Sequence, residues 1–209
     1  MRGLYAILDV DFLRGAGVEL MAFAEAVLSV RPAAVQLRAK SDGPRATLEK
    51  LRALRPLCSR AGVPLFANDR PDLAVLAGCD GVHVGQEDVD IADVHAFAPA
   101  LRVGVSTHDL GQLDAALSMN PDYVAFGPVF ATTSKAHPDP VVGLDGLRDA
   151  ASRARARGVP LVAIGGIDVA RASAVAPHVE LVAVIGALLP EEGLKGVKRR
   201  AESLVRALS

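Results

Sequence analysis

The 209-residue sequence predicts a parallel (β/α)8 barrel, and three observations carry that expectation. Short apolar runs recur about eight times along the chain, as the strands of a sheet covered on both faces do. The longer segments between them carry apolar residues at helical spacing, and a parallel strand pair needs such a crossover. The composition is 51% hydrophobic but only 4% aromatic, with no Trp, so the interior is aliphatic. An open doubly wound sheet satisfies the same alternation, and the number of units favours the closed barrel. The length suits one core, so residues 1–209 are expected to form a single domain.

The runs fall at residues 4–8, 34–37, 63–67, 81–84, 103–105, 123–126, 161–164 and 181–185. Between them, Leu48, Leu51 and Leu54, and then Leu110, Leu113 and Leu117, mark amphipathic helices. In either parallel fold, ligands meet the residues just after the strands. The second run leads into Gln36, Leu37, Arg38, Ala39 and Lys40, and the third into Asn68, Asp69 and Arg70. The fourth is followed by Gly85, Gln86, Glu87 and Asp88, and the fifth by Ser106, Thr107 and His108. The sixth stops at a segment that includes Thr132, Thr133, Ser134 and Lys135. The seventh ends at Gly165 and Gly166, and the eighth at Ile185 and Gly186.

These residue types point to phosphate chemistry. Gly165, Gly166 and Gly186 let backbone N–H groups approach an anion, and the loops after strands seven and eight of a barrel recurrently do so, although the same glycines also serve tight turns. Asp69 and Asp88 follow neighbouring strands, and two carboxylates plus substrate phosphates are a common ligand set for Mg2+; a helix cap and a solvated surface charge are the plain alternatives. Arg38, Lys40 and Lys135 facing one cavity can hold a polyphosphate, whereas any one of them alone reads as a surface charge. Lys135 also admits a Schiff-base role. His83 lies between Val82 and Val84 and reads as a satisfied core histidine.

Several function classes are disfavoured. A formal net charge of −1 gives no footprint for a nucleic-acid backbone, so the expected ligands are small and held by local groups. Charges interrupt every apolar stretch before bilayer length, and Asp9 and Asp11 break the region where a signal peptide needs an apolar core, so a cytoplasmic protein without a membrane segment is expected. Cys58 and Cys79 have no CxxC spacing and read as reduced thiols. No hydrolase motif of the G-x-S-x-G or HExxH type occurs.

In order and spacing, the segments running from Gln36 to Lys40, Asn68-Asp69-Arg70, Gly81 through Asp88, Gly127-Pro128-Val129-Phe130 through Thr132-Thr133-Ser134-Lys135, and Ile164-Gly165-Gly166-Ile167 resemble the thiamine phosphate synthase family. The resemblance implies a TIM barrel transferase that joins 4-amino-2-methyl-5-hydroxymethylpyrimidine diphosphate to a thiazole phosphate, releasing pyrophosphate. It implies that Gln36, Leu37, Arg38, Ala39, Lys40, Asn68 and Lys135 surround the pyrimidine diphosphate, with Ser106 at the reacting centre. Asp69 and Asp88 would bind Mg2+. Thr132, Thr133, Ser134, Gly165, Gly166, Ile185 and Gly186 would hold the thiazole phosphate, while Lys135, Ser106 and Arg38 act in catalysis by a dissociative path. A homodimer is compatible with the sequence.

The chain departs from the family pattern at Ala39, Ala131, Ser134 and Gly186. Ser134 keeps a hydroxyl and Gly186 keeps its amide, whereas Ala39 removes a charge near the diphosphate. Two other readings stand beside the synthase. A thiazole tautomerase of the same superfamily would need a histidine acid or base, for which His83 and His137 are the candidates, and a phosphate-ligand sensor would need no catalytic group.

Overall fold

The computed structural model describes residues 1–132 and 139–208. Among these, eight parallel strands close into a barrel: β1 (Gly3–Asp9), β2 (Ala34–Arg38), β3 (Leu65–Asn68), β4 (Gly81–Val84), β5 (Arg102–Thr107), β6 (Tyr123–Phe126), β7 (Leu161–Ile164) and β8 (Leu181–Val184). Pairing of β1 with β8, Tyr5 opposite Ala183, completes the ring and excludes the open sheet. Two helices follow β1, α1 (Val10–Gly15) and α2 (Leu20–Leu28). The rest alternate with the strands: α3 (Pro44–Ala61), α4 (Pro71–Ala77), α5 (Ile91–Phe97), α6 (Leu110–Ser118), α7 (Gly143–Ala156), α8 (Val169–Val175) and α9 (Leu194–Ala207). Two of the apolar runs are trimmed at a boundary. Pro64 has no N–H to give a ladder, so β3 starts at Leu65, and β8 stops before Ile185.

Alternation along each strand divides the core in two. Leu4, Leu8, Val35, Leu37, Val82, Val103 and Phe126 point outward and pack with the helices. Tyr5, Ile7, Phe66, Tyr123, Val162 and Leu181 fill the barrel. Phe66 and Tyr123 have room because glycines lie opposite them in register, Gly81 and Gly104. A Cβ on Gly104 would stand 1.9 Å from the Tyr123 ring, and one on Gly81 2.4 Å from that of Phe66. The aromatic floor leaves the carboxyl ends of the strands as the site of the open mouth.

Candidate active site

Among the described residues, Arg38, Lys40 and most of the carboxylates of the mouth lie at or just past the ends of its first four strands. Asp9 ends β1 and is 3% exposed; its Oδ1 accepts from the Phe12 N–H at 2.9 Å and caps α1, while its Oδ2 accepts from Arg38 Nη1 at 2.5 Å. The guanidinium of Arg38 is therefore aimed by a buried carboxylate. Lys40 pairs with Asp69. Asp69 sits just past β3 with φ +62, in the left-handed region that non-glycine residues seldom occupy. Burial pushes its carboxyl above the usual range, the Lys40 ammonium opposes this, and the neighbouring Asp88 carboxylate adds to the rise. Asp88 Oδ2 in turn accepts from the Gly85 N–H at 2.7 Å. The sequence expectation that these two carboxylates meet over the mouth is realised.

The opposite side is built from backbone. The loops after β6 and β7 lie against one another, with Val129 N donating to Ile164 O at 2.9 Å and Phe130 N to Gly165 O at 3.0 Å. Gly165 has φ +100, and a Cβ there would come within 2.4 Å of Pro128 Cα; Gly166 has φ +63, and its Cβ would come within 2.4 Å of Ala131 O. No other residue fits either position. Gly186 differs: its φ is ordinary, and an added Cβ would meet only the Phe12 ring at 3.6 Å.

Two cavities adjoin across this mouth. One, of about 500 Å³, is lined by Gln36, Arg38, Lys40, Asn68, Asp69 and Asp88 together with His83. The other, of about 340 Å³, is lined by Thr132, Gly165, Gly166, Ile185 and Gly186. Ser106, His108, Asp139, Ile164 and Ile185 line both. Two of the expected binding residues stand apart: Leu37 is 1% exposed and packs against the helices, because alternation turns it away from the interior, and Ala39 packs against the same layer. Arg70 forms a forked pair with Asp72 at 2.9 and 2.5 Å. Thr133, Ser134, Lys135 and His137 lie outside the described residues.

Three contributors were not assigned roles from sequence. Asp9 orients Arg38. Gln86 Nε2 donates to Ser106 O at 2.6 Å and ties the loop after β4 to β5. His108 Nδ1 donates to Gly127 O at 2.7 Å, bracing the loop after β6. Position at a strand's carboxyl end was the available signal for all three.

A family model described as thiamine monophosphate synthase matches residues 4–188. The thiamine-phosphate synthase of Chloroflexus aurantiacus is 40% identical over 145 residues, covering 69% of this chain and 66% of that protein. That of Laribacter hongkongensis is 39% identical over 150 residues, covering 71% and 70%. The solved thiamine phosphate pyrophosphorylase of Pyrococcus furiosus superposes with a TM-score of 0.85 at 32% identity, covering 99% of this chain and 95% of that one. Likeness to tryptophan synthase of Mycobacterium tuberculosis, with a TM-score of 0.71 at 16% identity, reflects the barrel alone. A match that runs from the first strand to the loop after the eighth, joined to a mouth divided between charged side chains and glycine backbone, shows that the chain belongs to the thiamine monophosphate synthase family.

Proposed function

We propose that this barrel joins a pyrimidinylmethyl diphosphate to a thiazole phosphate, forming thiamine phosphate and releasing pyrophosphate. The observation that carries the reading is the pair of adjoining cavities, one rich in charged side chains and one in glycine backbone, with Ser106 on the wall they share. The charged cavity suits a diphosphate and the glycine cavity a monophosphate, so the two reacting centres meet beside Ser106.

The reaction breaks the bond between the pyrimidinylmethyl carbon and the diphosphate oxygen, whose electron pair leaves with the diphosphate. The thiazole nitrogen then gives its lone pair to that carbon. Arg38 and Lys40 hold the leaving group on one side of the mouth, and Asp9 keeps the guanidinium from swinging away. Lys135, carried over by resemblance, adds a third cation. Charge on the departing oxygens grows in the transition state, so fixed donors accelerate the step; losing one costs about 2.7–4 kcal/mol in comparable sites. The glycine side sets the nucleophile in line, and no general base is required.

Asp69 and Asp88 fit a hard divalent cation such as Mg2+. They are two neighbouring carboxylates, one raised in pKa by burial and by the other, an arrangement that gains from a cation between them. Among the described residues no cluster of three His, Cys, Asp or Glu forms, so diphosphate oxygens and water would supply the remaining ligands. Bound there, the ion supplies positive charge to the leaving group.

As the acid or base of a tautomerase His83 is disfavoured, because both its ring nitrogens are engaged, with Tyr123 and Ser106; the other candidate, His137, lies outside the described residues. No helix among the described residues is long and apolar enough to cross a membrane. The deciding experiment mixes purified protein with both substrates and Mg2+. Equal amounts of thiamine phosphate and pyrophosphate are expected; absence of both, with folded protein, overturns the reading.

A further inference from the structure

Beneath the mouth runs a chain of hydrogen bonds whose last member lies on the wall between the cavities. Gln36 Nε2 donates to Tyr5 Oη at 2.8 Å, and Tyr5 Oη lies 2.9 Å from Tyr123 Oη. Tyr123 Oη lies 2.9 Å from His83 Nδ1, and His83 Nε2 lies 2.8 Å from Ser106 Oγ. Gln36, Tyr5, Tyr123 and His83 are all buried. The His83 ring also stacks on Tyr123, with an interplanar angle of 20°, so packing fixes its orientation.

Each link carries one hydrogen, so the chain has a direction. An amide nitrogen only donates, and Tyr5 therefore accepts from Gln36 and spends its own hydrogen on Tyr123. Tyr123 spends its hydrogen on His83 Nδ1. Burial pushes both phenols well above their ordinary range, so each keeps its hydrogen. The opposite flow would set the Tyr5 hydroxyl hydrogen against the Gln36 N–H group, donor against donor, in an interior where an unmade bond is costly. Nδ1 is then bare, and a neutral imidazole with bare Nδ1 carries its hydrogen on Nε2.

We propose that His83 is a positioning residue, held as the Nε2–H tautomer by Gln36, Tyr5 and Tyr123, and that it fixes Ser106 as a hydrogen-bond donor toward the substrate. Nε2–H occupies a lone pair of Ser106 Oγ, which leaves the serine hydrogen free to point at an acceptor atom where the cavities meet. The two ends of the chain are thereby coupled. The orientation of the Gln36 amide dictates whether Ser106 donates or accepts, so one aromatic substrate edge is read by both residues as a matched pair. The substrate's identity rests on the synthase reading, whereas the wiring does not.

The test begins with nuclear magnetic resonance of protein labelled with 15N at its histidines, the His83 signals being assigned by their loss in His83→Gln. Nε2 is expected to carry the proton and Nδ1 to be bare, with that preference lost in Tyr123→Phe. A proton on Nδ1 in the parent overturns the proposal. Kinetics add a second measure that a packing role would not produce. Glutamine places an amide donor near the Nε2 position and asparagine near Nδ1, so His83→Gln should keep kcat/KM close to the parent. His83→Asn should lose about three- to tenfold, the effect of one hydrogen bond. Equal losses in the two variants, with both folded, also overturn the proposal. A parent protein lacking synthase activity strikes the functional reading alone, and the spectrum then decides the wiring by itself.

Discussion

The two ends of the barrel use the same acidic residues for opposite purposes. At the amino end, Asp80, Asp122 and Glu180 stand just before β4, β6 and β8, and each turns a carboxylate back to the preceding strand. They accept from Leu65 N at 2.8 Å, Val103 N at 2.7 Å and Leu161 N at 2.9 Å. At the carboxyl end, Asp9 aims the cation Arg38, Asp69 pairs with Lys40, and Asp69 and Asp88 line an open cavity. A carboxylate closed onto backbone N–H groups has satisfied a fixed partner and stabilises the fold. One that faces a cavity retains lone pairs for a ligand. The contrast teaches that residue type does not separate scaffold from site in this barrel, and that the end of the strand does.

Substitutions at the two ends should therefore separate in what they change. The largest effect is expected from Gly166→Val at the carboxyl end, where a positive φ and backbone contact both oppose a side chain. Strain alone costs about 1–3 kcal/mol, and the overlap with Ala131 O adds to it. The apparent KM for the thiazole phosphate should rise far more than that for the pyrimidine diphosphate; a selective rise for the latter would reverse the assignment of the two cavities. Next comes Asp122→Ala at the amino end, which removes the partner of the Val103 N–H. About 1–2 kcal/mol of stability should be lost, seen as a Tm lowered by roughly 2–8 °C, with both KM values unchanged. Altered KM values would erase the distinction between the ends.

Asp69→Asn should act more gently on stability and with the opposite sign. Its folded-state pKa is raised, so the carboxyl's favourable contribution belongs to low pH and is lost as pH rises through the folded value. At neutral pH the ionised group is therefore a cost that Asn removes. Without metal, Tm at pH 7 should rise by roughly 1–2 °C, and the stabilisation by Mg2+ that the proposed site predicts for the parent should be absent from the variant. An unchanged Mg2+ response would remove Asp69 from the metal site. The smallest effect is expected for Gly186→Ser, which adds a hydroxyl at a position with room for it. Stability should stay within about 0.5 kcal/mol, and a lower KM for the thiazole phosphate would show the added hydroxyl at work.

Much of this architecture is legible in the sequence, because buried parallel strands are apolar on both faces and stand out as short runs. The runs at 81–84, 123–126 and 161–164 coincide with β4, β6 and β7. Strand ends likewise pointed to Arg38, Lys40, Asp69, Asp88, Gly165 and Gly166. What stayed hidden depends on the direction of single side chains. Leu37 sits between two mouth residues in sequence, yet alternation sends it to the helix layer. Tyr5 and Tyr123 look like ordinary core aromatics, since nothing local shows that residues 118 apart share a hydrogen bond. The pair of helices after β1 was equally hidden, because Gly15 and Gly17 blur the periodicity there.

The same two tyrosines give the protein a built-in optical probe. The chain has no Trp and only two Tyr, so its near-ultraviolet emission comes essentially from Tyr5 and Tyr123. Both rings lie inside the barrel, 5.9 Å apart between centroids. Unlabelled tyrosine fluorescence, and circular dichroism in the tyrosine band beyond the phenylalanine absorption, therefore watch the barrel floor and respond to the helix layer only where it disturbs that floor. Helix loss followed by far-ultraviolet dichroism and floor loss followed by tyrosine emission can be timed separately in a single unfolding experiment, and their coincidence or divergence tells whether ring and helices melt as one unit.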